Sequence, residues 1–144
     1  EDSKTENDCL RMDLLTNTMK VFSENSDPAY PQKIFEMGRV FSLDKKSETG
    51  ISETERLTIA MADEITSFTD LKQILDYLFK MLGKEYEIEN CDEHPAYIKG
   101  RSAKISVGGK EIGYIGEVAP RVLRNWKIKM PIVALEIDLE VFLK

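Results

Sequence analysis

Apolar side chains recur at helical spacing along residues 68–82, whose sequence is FTDLKQILDYLFKML. They return every three or four positions and leave charged or polar residues on the other side, as in an amphipathic helix. Ser67 or Thr69 is suited to cap the start, and Gly83 suits the position after the end, where φ is positive. The pattern therefore predicts a helix that lies on a sheet. Residues 10–22 show the same spacing and predict a second helix.

Alternating patterns predict the strands of that sheet. Residues 33–43, KIFEMGRVFSL, have large apolar side chains in both alternating sets, which predicts a long strand covered on both faces. Residues 102–108 and 111–116 flank Gly109 and Lys110, and a Gly-Gly turn between two alternating runs predicts a hairpin. The other strand-like runs are residues 56–63, 84–90 and 131–143. Residues 119–126 predict a short helix with Pro120 in its first turn, and residues 44–55 predict a mobile charged loop.

The strands outnumber the helices and include a hairpin, so the predicted fold class is α+β with a mainly antiparallel sheet flanked by helices. A length of 144 residues, with 42% hydrophobic and 32% charged, fits one globular domain, 1–144. The net charge of −6 disfavours an independent nucleic-acid-binding module, although a local basic patch stays open. No apolar run approaches the ~20 residues of a membrane span, so we expect no membrane partner. The acidic start without methionine indicates a domain truncated at its N-terminus.

Two cysteines, Cys9 and Cys91, and one histidine are too few for the four ligands of a usual zinc site, so we expect no metal site. A disulfide between the cysteines is an open alternative, but the chain is not cysteine-dense, which favours reduced thiols.

The stretch DEHPAYIKGRSAKI, residues 92–105, gathers Asp92, Glu93, His94 and Arg101. It suggests either a small-molecule hydrolase that uses His94 or a polar turn between strands. Adjacent carboxylates in extended chain point to opposite faces, and no nucleophile elbow or phosphate-binding loop occurs, which favours the turn. We therefore predict no catalytic and no cofactor-binding residue, with His94 held by packing or a hydrogen bond. Glu136 and Asp138 share one side of a strand, for which we expect a solvated sheet face or edge.

Several stretches together resemble phenylalanyl-tRNA synthetase beta subunits of the archaeal and eukaryotic type. CLRMDLLTNTMKVF and KIFEMGRVF resemble that family's "LR-x-SLL", helix and "FE-x-G-x-VF" segment. FTDLKQILDYLF resembles its next helix, HPAYIKGRSAKISVGGKEIGYIGEVAPRVL its "HP…GR-A-x-I…GE-x-HP-x-VL" stretch, and ALEIDLEVF its ending. The resemblance covers residues 9–142. It departs from the family pattern at Thr16-Asn17 and Ala119.

The resemblance implies a class II aminoacyl-tRNA synthetase-like module without catalytic residues. In the family, an alpha subunit carries the active site, uses ATP and magnesium, and assembles with beta into a cytoplasmic heterotetramer that charges tRNA with phenylalanine. Residues 33–41 resemble the strand that carries an ATP-binding arginine in catalytic subunits, but no glycine-rich segment ending in arginine follows residue 110. We expect the fragment alone to be inactive, with tRNA contacted by the whole enzyme. The candidate residues for the interface with the alpha subunit are Phe35, Arg39, Phe41, Tyr97, Arg101 and Trp126.

Overall fold

One antiparallel sheet organises the computed structural model, which describes residues 9–27 and 29–143. Within these residues the sheet has six strands in the spatial order β1-β2-β6-β5-β4-β3. The last strand along the chain, β6, therefore inserts between β2 and β5, and its residues 132–137 are all buried. The strands are β1 (Gln32–Leu43), β2 (Ile51–Ala62), β3 (Glu87–Asn90), β4 (Tyr97–Val107), β5 (Lys110–Val118) and β6 (Ile132–Asp138). This confirms the predicted α+β class with an antiparallel sheet.

Helices cover both faces of the sheet because the side chains of the central strand alternate between two apolar clusters. Val133, Leu135 and Ile137 belong to the cluster on the side of α2 (Phe68–Met81), to which α4 (Glu140–Leu143) also contributes. Ile132 and Ala134 belong to the cluster on the side of α1 (Leu15–Glu24) and α3 (Pro120–Asn125). We call these two sides the α2 face and the α1 face.

The helix α2 confirms its predicted pattern. Leu71, Leu75 and Phe79 are buried against the sheet, one turn apart. The Ser67 hydroxyl accepts a hydrogen bond from Asp70 N at 3.1 Å, and Gly83 follows the helix with φ +65°. The ring of Phe79 also packs against Tyr86 and Phe142, with centroid distances of 4.6 and 5.2 Å. The predicted hairpin is present between β4 and β5, with Gly108 and Gly109 at φ +57° and +78°.

The predicted boundaries of the first helix, the last strand and the charged loop were wrong. In each case a hydrogen bond or strand pairing determines where the element begins or ends. The first helix begins at Leu15 rather than residue 10, since Arg11 O accepts a hydrogen bond from Phe41 N of β1. The last strand ends at Asp138, whose carboxylate accepts a hydrogen bond from Glu140 N at the start of α4. The charged loop is shorter than 44–55, because residues 51–55 pair with β1 as part of β2.

The prediction that β1 is covered on both faces was also wrong. Phe35 and Met37 lie opposite Ile59 and Leu57 on the α2 face, yet they are 74% and 62% exposed. The helix α2 packs over β5 and β6 and leaves β1, at the edge of the sheet, uncovered. The sheet therefore carries an exposed apolar strip on this face.

The position of Phe79 leads to a stability prediction. Phe79→Ala should lower the free energy of unfolding by about 3–5 kcal/mol, because the side chain is 1% exposed and its loss leaves a cavity. Tyr77→Ala on the same helix should change it by only about 0.5 kcal/mol, because Tyr77 is 66% exposed. Urea unfolding followed by circular dichroism measures both. Equal losses in the two variants would contradict the described packing of α2.

Candidate functional site

A buried carboxylate on the central strand organises the α1 face. Glu136 is 8% exposed, and its Oε2 atom accepts hydrogen bonds from Leu14 N at 3.1 Å and Leu15 N at 3.0 Å. These N–H groups lie at the start of α1, where backbone donors lack partners within the helix. The other oxygen, Oε1, accepts a hydrogen bond from Arg56 Nη1 of β2 at 3.0 Å. Glu136 therefore fixes the start of α1 on the sheet. Its ion pair with Arg56 also links β6 to β2.

The expected solvated face at Glu136 and Asp138 was wrong for Glu136. Its neighbours across the sheet are Thr58 on β2 and Tyr114 on β5, so the carboxylate stands in the middle of the α1 face. Asp138 lies nearer the end of the strand and is half-buried. Charge alternation along one strand does not reveal that a helix start will lie above it.

A cavity of about 370 Å³ opens on the α1 face beside this carboxylate, and we call it the central cavity. It lies between the start of α1, the turn that precedes β4, and the helix α3. Its charged lining consists of four carboxylates, one guanidinium and one imidazole: Asp13, Glu111, Glu136, Asp138, Arg56 and His94. Its aromatic and apolar lining includes Tyr97, Tyr114, Trp126, Leu15, Met19 and Val122. The remaining side chains at the cavity are those of Thr16, Pro95, Ala96 and Ile112.

The imidazole of His94 is held by packing and one hydrogen bond, which confirms its prediction. Its ring centroid lies 4.6 Å from that of Tyr97 and 4.8 Å from that of Tyr114, and Nδ1 accepts a hydrogen bond from Ala96 N at 3.3 Å. Burial lowers the pKa of His94, although the charge of nearby Asp13 acts in the opposite direction. His94 is therefore neutral near pH 7.

The acids next to His94 do not face it as a catalytic pair. Asp92 accepts a hydrogen bond from Gly100 N at 2.6 Å, which closes the turn into β4. Glu93 is exposed. At the cavity, the Tyr114 hydroxyl donates to Glu111 at 2.6 Å, and this hydrogen bond together with burial raises the pKa of Tyr114 to about 12. The phenol is thus a hydrogen-bond donor across the neutral pH range.

A second network, the arginine anchor, joins the chain before α1 to the edge strand β1. Arg11 Nε donates to Arg39 O at 2.7 Å, and Nη1 forms an ion pair with Glu36. The guanidinium lies over Gly38, where a Cβ atom would come within 2.1 Å of Arg11 Nη2. Arg11 was not predicted as a structural residue. The pattern that could have identified it is the shared family resemblance of LR, which contains Arg11, and FE-x-G, which contains Glu36 and Gly38. These motif residues together hold the chain before α1 against β1.

The structure brings together only three of the six predicted interface residues. Phe35, Arg39 and Phe41 lie on the α2 face of β1, where Arg39 forms ion pairs with Glu53 at 2.8 Å and Glu55 at 3.1 Å. Met37 and Leu43, 62% and 92% exposed, share this face, and strand alternation could have identified them. We call residues 35, 37, 39, 41 and 43 the β1 outer surface.

The other three predicted interface residues lie elsewhere. Tyr97 is only 5% exposed, because it packs against His94 within the α1-face cluster. Trp126 is half-buried at the central cavity, and its carbonyl accepts a hydrogen bond from Ser23 Oγ at 2.7 Å. Arg101 is exposed and forms an ion pair with Glu117 at 2.9 Å. No single surface contains all six.

Within residues 9–27 and 29–143, no group of three histidine, cysteine or acidic side chains is placed to hold a metal ion. No helix in this part of the chain is long and apolar enough to cross a membrane. Cys9 and Cys91 are both free thiols.

Comparisons with known proteins identify related sequences and folds. Residues 3–139 match the model of a family described as phenylalanyl tRNA synthetase beta chain CLM domain. The phenylalanine–tRNA ligase beta subunit of Pyrococcus abyssi is 46% identical over 130 residues, 90% of this chain and 23% of the relative. That of Methanocaldococcus jannaschii is 37% identical over 131 residues, 91% of this chain and 24% of the relative. The chain thus spans about a quarter of the length of these archaeal relatives.

A solved structure has a similar fold. The pyrrolysyl-tRNA synthetase of Desulfitobacterium hafniense superposes with a TM-score of 0.76 at 20% sequence identity. The match covers 94% of this chain and 49% of that protein. It shows that the same arrangement of strands and helices occurs in an aminoacyl-tRNA synthetase.

The role of Glu136 can be tested by removing its charge. Glu136→Gln keeps an acceptor but leaves the half-buried Arg56 without its anion, and it should lower the free energy of unfolding by about 2 kcal/mol. Glu117→Gln removes the same charge from the exposed pair with Arg101 and should cost less than about 1 kcal/mol. Urea unfolding of both variants measures the difference. A loss no larger in Glu136→Gln would show that the carboxylate does not hold α1.

The arginine anchor predicts coupling between Arg11 and Gly38. Gly38→Ala should cost about 1–2 kcal/mol in the wild-type background, because the added methyl group displaces the guanidinium. In an Arg11→Ala background the same change should be nearly neutral, which gives a coupling of about 1–2 kcal/mol. A double-mutant cycle of unfolding free energies measures this value. Additive losses would contradict the contact.

Proposed function

We infer the function of this chain from one premise: it belongs to the phenylalanyl-tRNA synthetase beta chain CLM domain family. We propose that it is a non-catalytic module of the beta subunit of a phenylalanine–tRNA ligase. In this proposal it packs against the catalytic alpha subunit of an enzyme that attaches phenylalanine to its tRNA with ATP. The module holds the assembly in its working geometry, and the chain alone is inactive.

We assign the fold more finely as class II aminoacyl-tRNA synthetase-like and residues 1–144 as one domain. The support is the superposition on pyrrolysyl-tRNA synthetase at a TM-score of 0.76. The insertion of β6 between β2 and β5 also ties the end of the chain to its first half, because one sheet runs through the described residues. Both apolar clusters are built on this one sheet, which is the arrangement expected of one domain.

The observation that carries the interface proposal is the β1 outer surface. Phe35 is 74% exposed, Met37 62% and Leu43 92%, all on one face of an edge strand. Exposed apolar patches of this kind mark protein–protein interfaces. Arg39 stands between these side chains, and the ion pairs with Glu53 and Glu55 hold its guanidinium in place. An apolar strip with an ordered arginine matches the residue types enriched at interface anchors.

The catalytic chemistry belongs to the alpha subunit in this proposal. Here the imidazole of His94 contacts two tyrosine rings in tilted geometry, and its Nδ1 atom accepts a hydrogen bond from Ala96 N, which gives no support to a hydrolase built on it. ATP and magnesium are accordingly assigned to the whole enzyme, with no cofactor-binding residue in this chain.

The tRNA is contacted by the whole enzyme rather than by this module, and the enzyme works in the cytoplasm as a heterotetramer. The net charge of −6 supports the first point, because a surface that binds a phosphate backbone is normally basic. It equally disfavours an independent RNA-binding module.

Co-expression with the alpha subunit of the same organism, followed by size-exclusion chromatography, tests the proposal. The wild-type chain should elute with the alpha subunit at micromolar concentration. Phe35→Glu combined with Met37→Glu should weaken the complex by more than about tenfold, because two carboxylates would be buried against an apolar partner. The replaced side chains are exposed, so circular dichroism should show an unchanged fold.

Val21→Glu is the matched control, since Val21 is 42% exposed on α1, on the other face of the sheet. This variant should stay in the complex. A wild-type chain that elutes alone would contradict the proposed function, and equal behaviour of the two variants would contradict the β1 outer surface as the interface.

A further inference from the structure

A groove at one end of the sheet belongs neither to the proposed interface nor to the central cavity. It has a volume of about 400 Å³ and lies where β4 begins and β5 ends, between the loop that follows β2, the helix α3 and the start of β6. We call it the end groove. Its lining is mainly aliphatic and includes the buried Val118 and Ile132, the half-buried Ile98 and Leu123, and Ile65, which is 85% exposed. An exposed apolar side chain beside an apolar groove marks a surface that a partner can cover.

A basic segment bounds the end groove on the side of α3. Residues 119–131, APRVLRNWKIKMP, contain Arg121, Arg124, Lys127 and Lys129 and no acidic residue, although the net charge of the chain is −6. All four side chains are exposed. Among the described residues, Arg124, Lys127 and Lys129 have no ion-pair or side-chain hydrogen-bond partner, whereas the arginines outside this segment all form ion pairs with carboxylates. The segment is therefore a local excess of positive charge on an acidic chain.

The turn that ends α3 fixes this charge beside the end groove. Pro120 and Leu123 line the groove, and Arg124 lies on their side of the helix because it follows Pro120 by four residues. The chain then turns at Lys127, which has φ +56°. Lys127 N donates to Arg124 O at 3.0 Å and Ile128 N donates to Leu123 O at 2.9 Å, as in a Schellman motif. The backbone of the basic segment is thus held in place against the groove.

The charge at the end groove favours an anionic partner. Lys129 lines the groove and Arg124 lies at its edge. Arg101 also lines it, but its charge is offset by the ion pair with Glu117 at 2.9 Å. Glu64 is the other carboxylate of the lining, so an excess of positive charge remains, which the rest of the basic segment increases. Complementary charge steers the association of two proteins and selects between partners, so the partner of this surface is acidic.

The aliphatic lining distinguishes a protein partner from a nucleic acid. Proteins bind single-stranded nucleic acids by stacking the bases on aromatic rings and by placing cations along the backbone. Among the described residues, no aromatic side chain lines the end groove, and Trp126, the aromatic residue of the basic segment, lines the central cavity. An aliphatic groove beside cations matches a protein segment in which one apolar side chain stands between carboxylates.

We propose that the end groove docks an acidic segment of a protein partner, anchored by one leucine or isoleucine side chain. The anchor enters the groove between Ile98 and Leu123 and covers Ile65. Carboxylates on both sides of the anchor pair with Arg124 and Lys129. The groove lies outside the β1 outer surface, so this inference does not depend on the proposed function.

Titration of the full chain with the acetylated and amidated heptapeptide DEELEED, followed by heteronuclear NMR, tests the proposal. We expect saturable shifts of the backbone signals of Ile65, Ile98 and residues 120–129. The heptapeptide DEESEED lacks the apolar anchor and should bind about fivefold more weakly or worse, because burial of the leucine side chain is lost. A uridine RNA heptamer carries a comparable negative charge and should produce no saturable shifts at Ile65 and Ile98.

Arg124→Glu combined with Lys129→Glu should weaken the binding of DEELEED by about tenfold, because both charge pairs become repulsive. Both side chains are exposed, so the amide spectrum away from the groove should stay unchanged. Lys45→Glu combined with Lys46→Glu is the matched control, since it makes the same change in net charge at exposed residues of the loop between β1 and β2. This control should bind DEELEED nearly as the wild type does. The proposal is overturned if DEELEED gives no saturable shifts, if DEESEED or the RNA binds equally well, or if the groove variant binds as tightly as the control.

Discussion

A carboxylate in the middle of the sheet is the constraint on which the α1 face depends. Glu136 lies on the most buried strand and could not remain charged there without partners, because an unpaired buried charge is costly. The start of α1 supplies two N–H groups, and β2 supplies Arg56. The position of α1 is therefore fixed by charge as well as by apolar packing. Once α1 is fixed, one wall of the central cavity is fixed with it.

The two faces of the sheet differ in how far their side chains are satisfied within the chain. On the α1 face, charged and aromatic side chains surround a cavity, and their hydrogen bonds are made within the chain. On the α2 face, the apolar cluster under α2 is closed, but β1 extends beyond the helix and leaves Phe35 and Met37 exposed. Edge strands with exposed apolar side chains are a liability for an isolated chain. A partner that covers this strip would protect the exposed edge strand. We therefore place the proposed interface at β1 rather than at the cavity.

The spacing of apolar and glycine residues correctly predicted the elements whose structure depends on residues close in sequence. The helix α2 and the glycine hairpin follow from spacing and from backbone φ, so their positions were predicted well. The misjudged features depend on residues distant in sequence. Glu136 contacts Leu14 across 122 positions, and alternation along EID gives no sign of that helix. Arg11 and Gly38 meet only after β1 has folded beside the chain that precedes α1. For Tyr97, residue type suggested an interface, whereas its packing under His94 decided its burial.

The arginine anchor shows how residues of a family-like motif can serve the stability of the fold. Arg11, Glu36 and Gly38 interlock, so each constrains the others through stability alone. A larger residue at Gly38 displaces the guanidinium, and loss of the guanidinium leaves Glu36 and the carbonyl of Arg39 without their partner. Similar logic applies to the stretch around His94, where Asp92 closes a turn and the imidazole packs between rings. Residue types associated with catalysis therefore indicate chemistry only when their polar atoms are left available to a substrate. In this chain the hydrogen bonds of Glu136, Arg11 and Asp92 are directed to its own backbone and side chains, which is the arrangement expected of a scaffold.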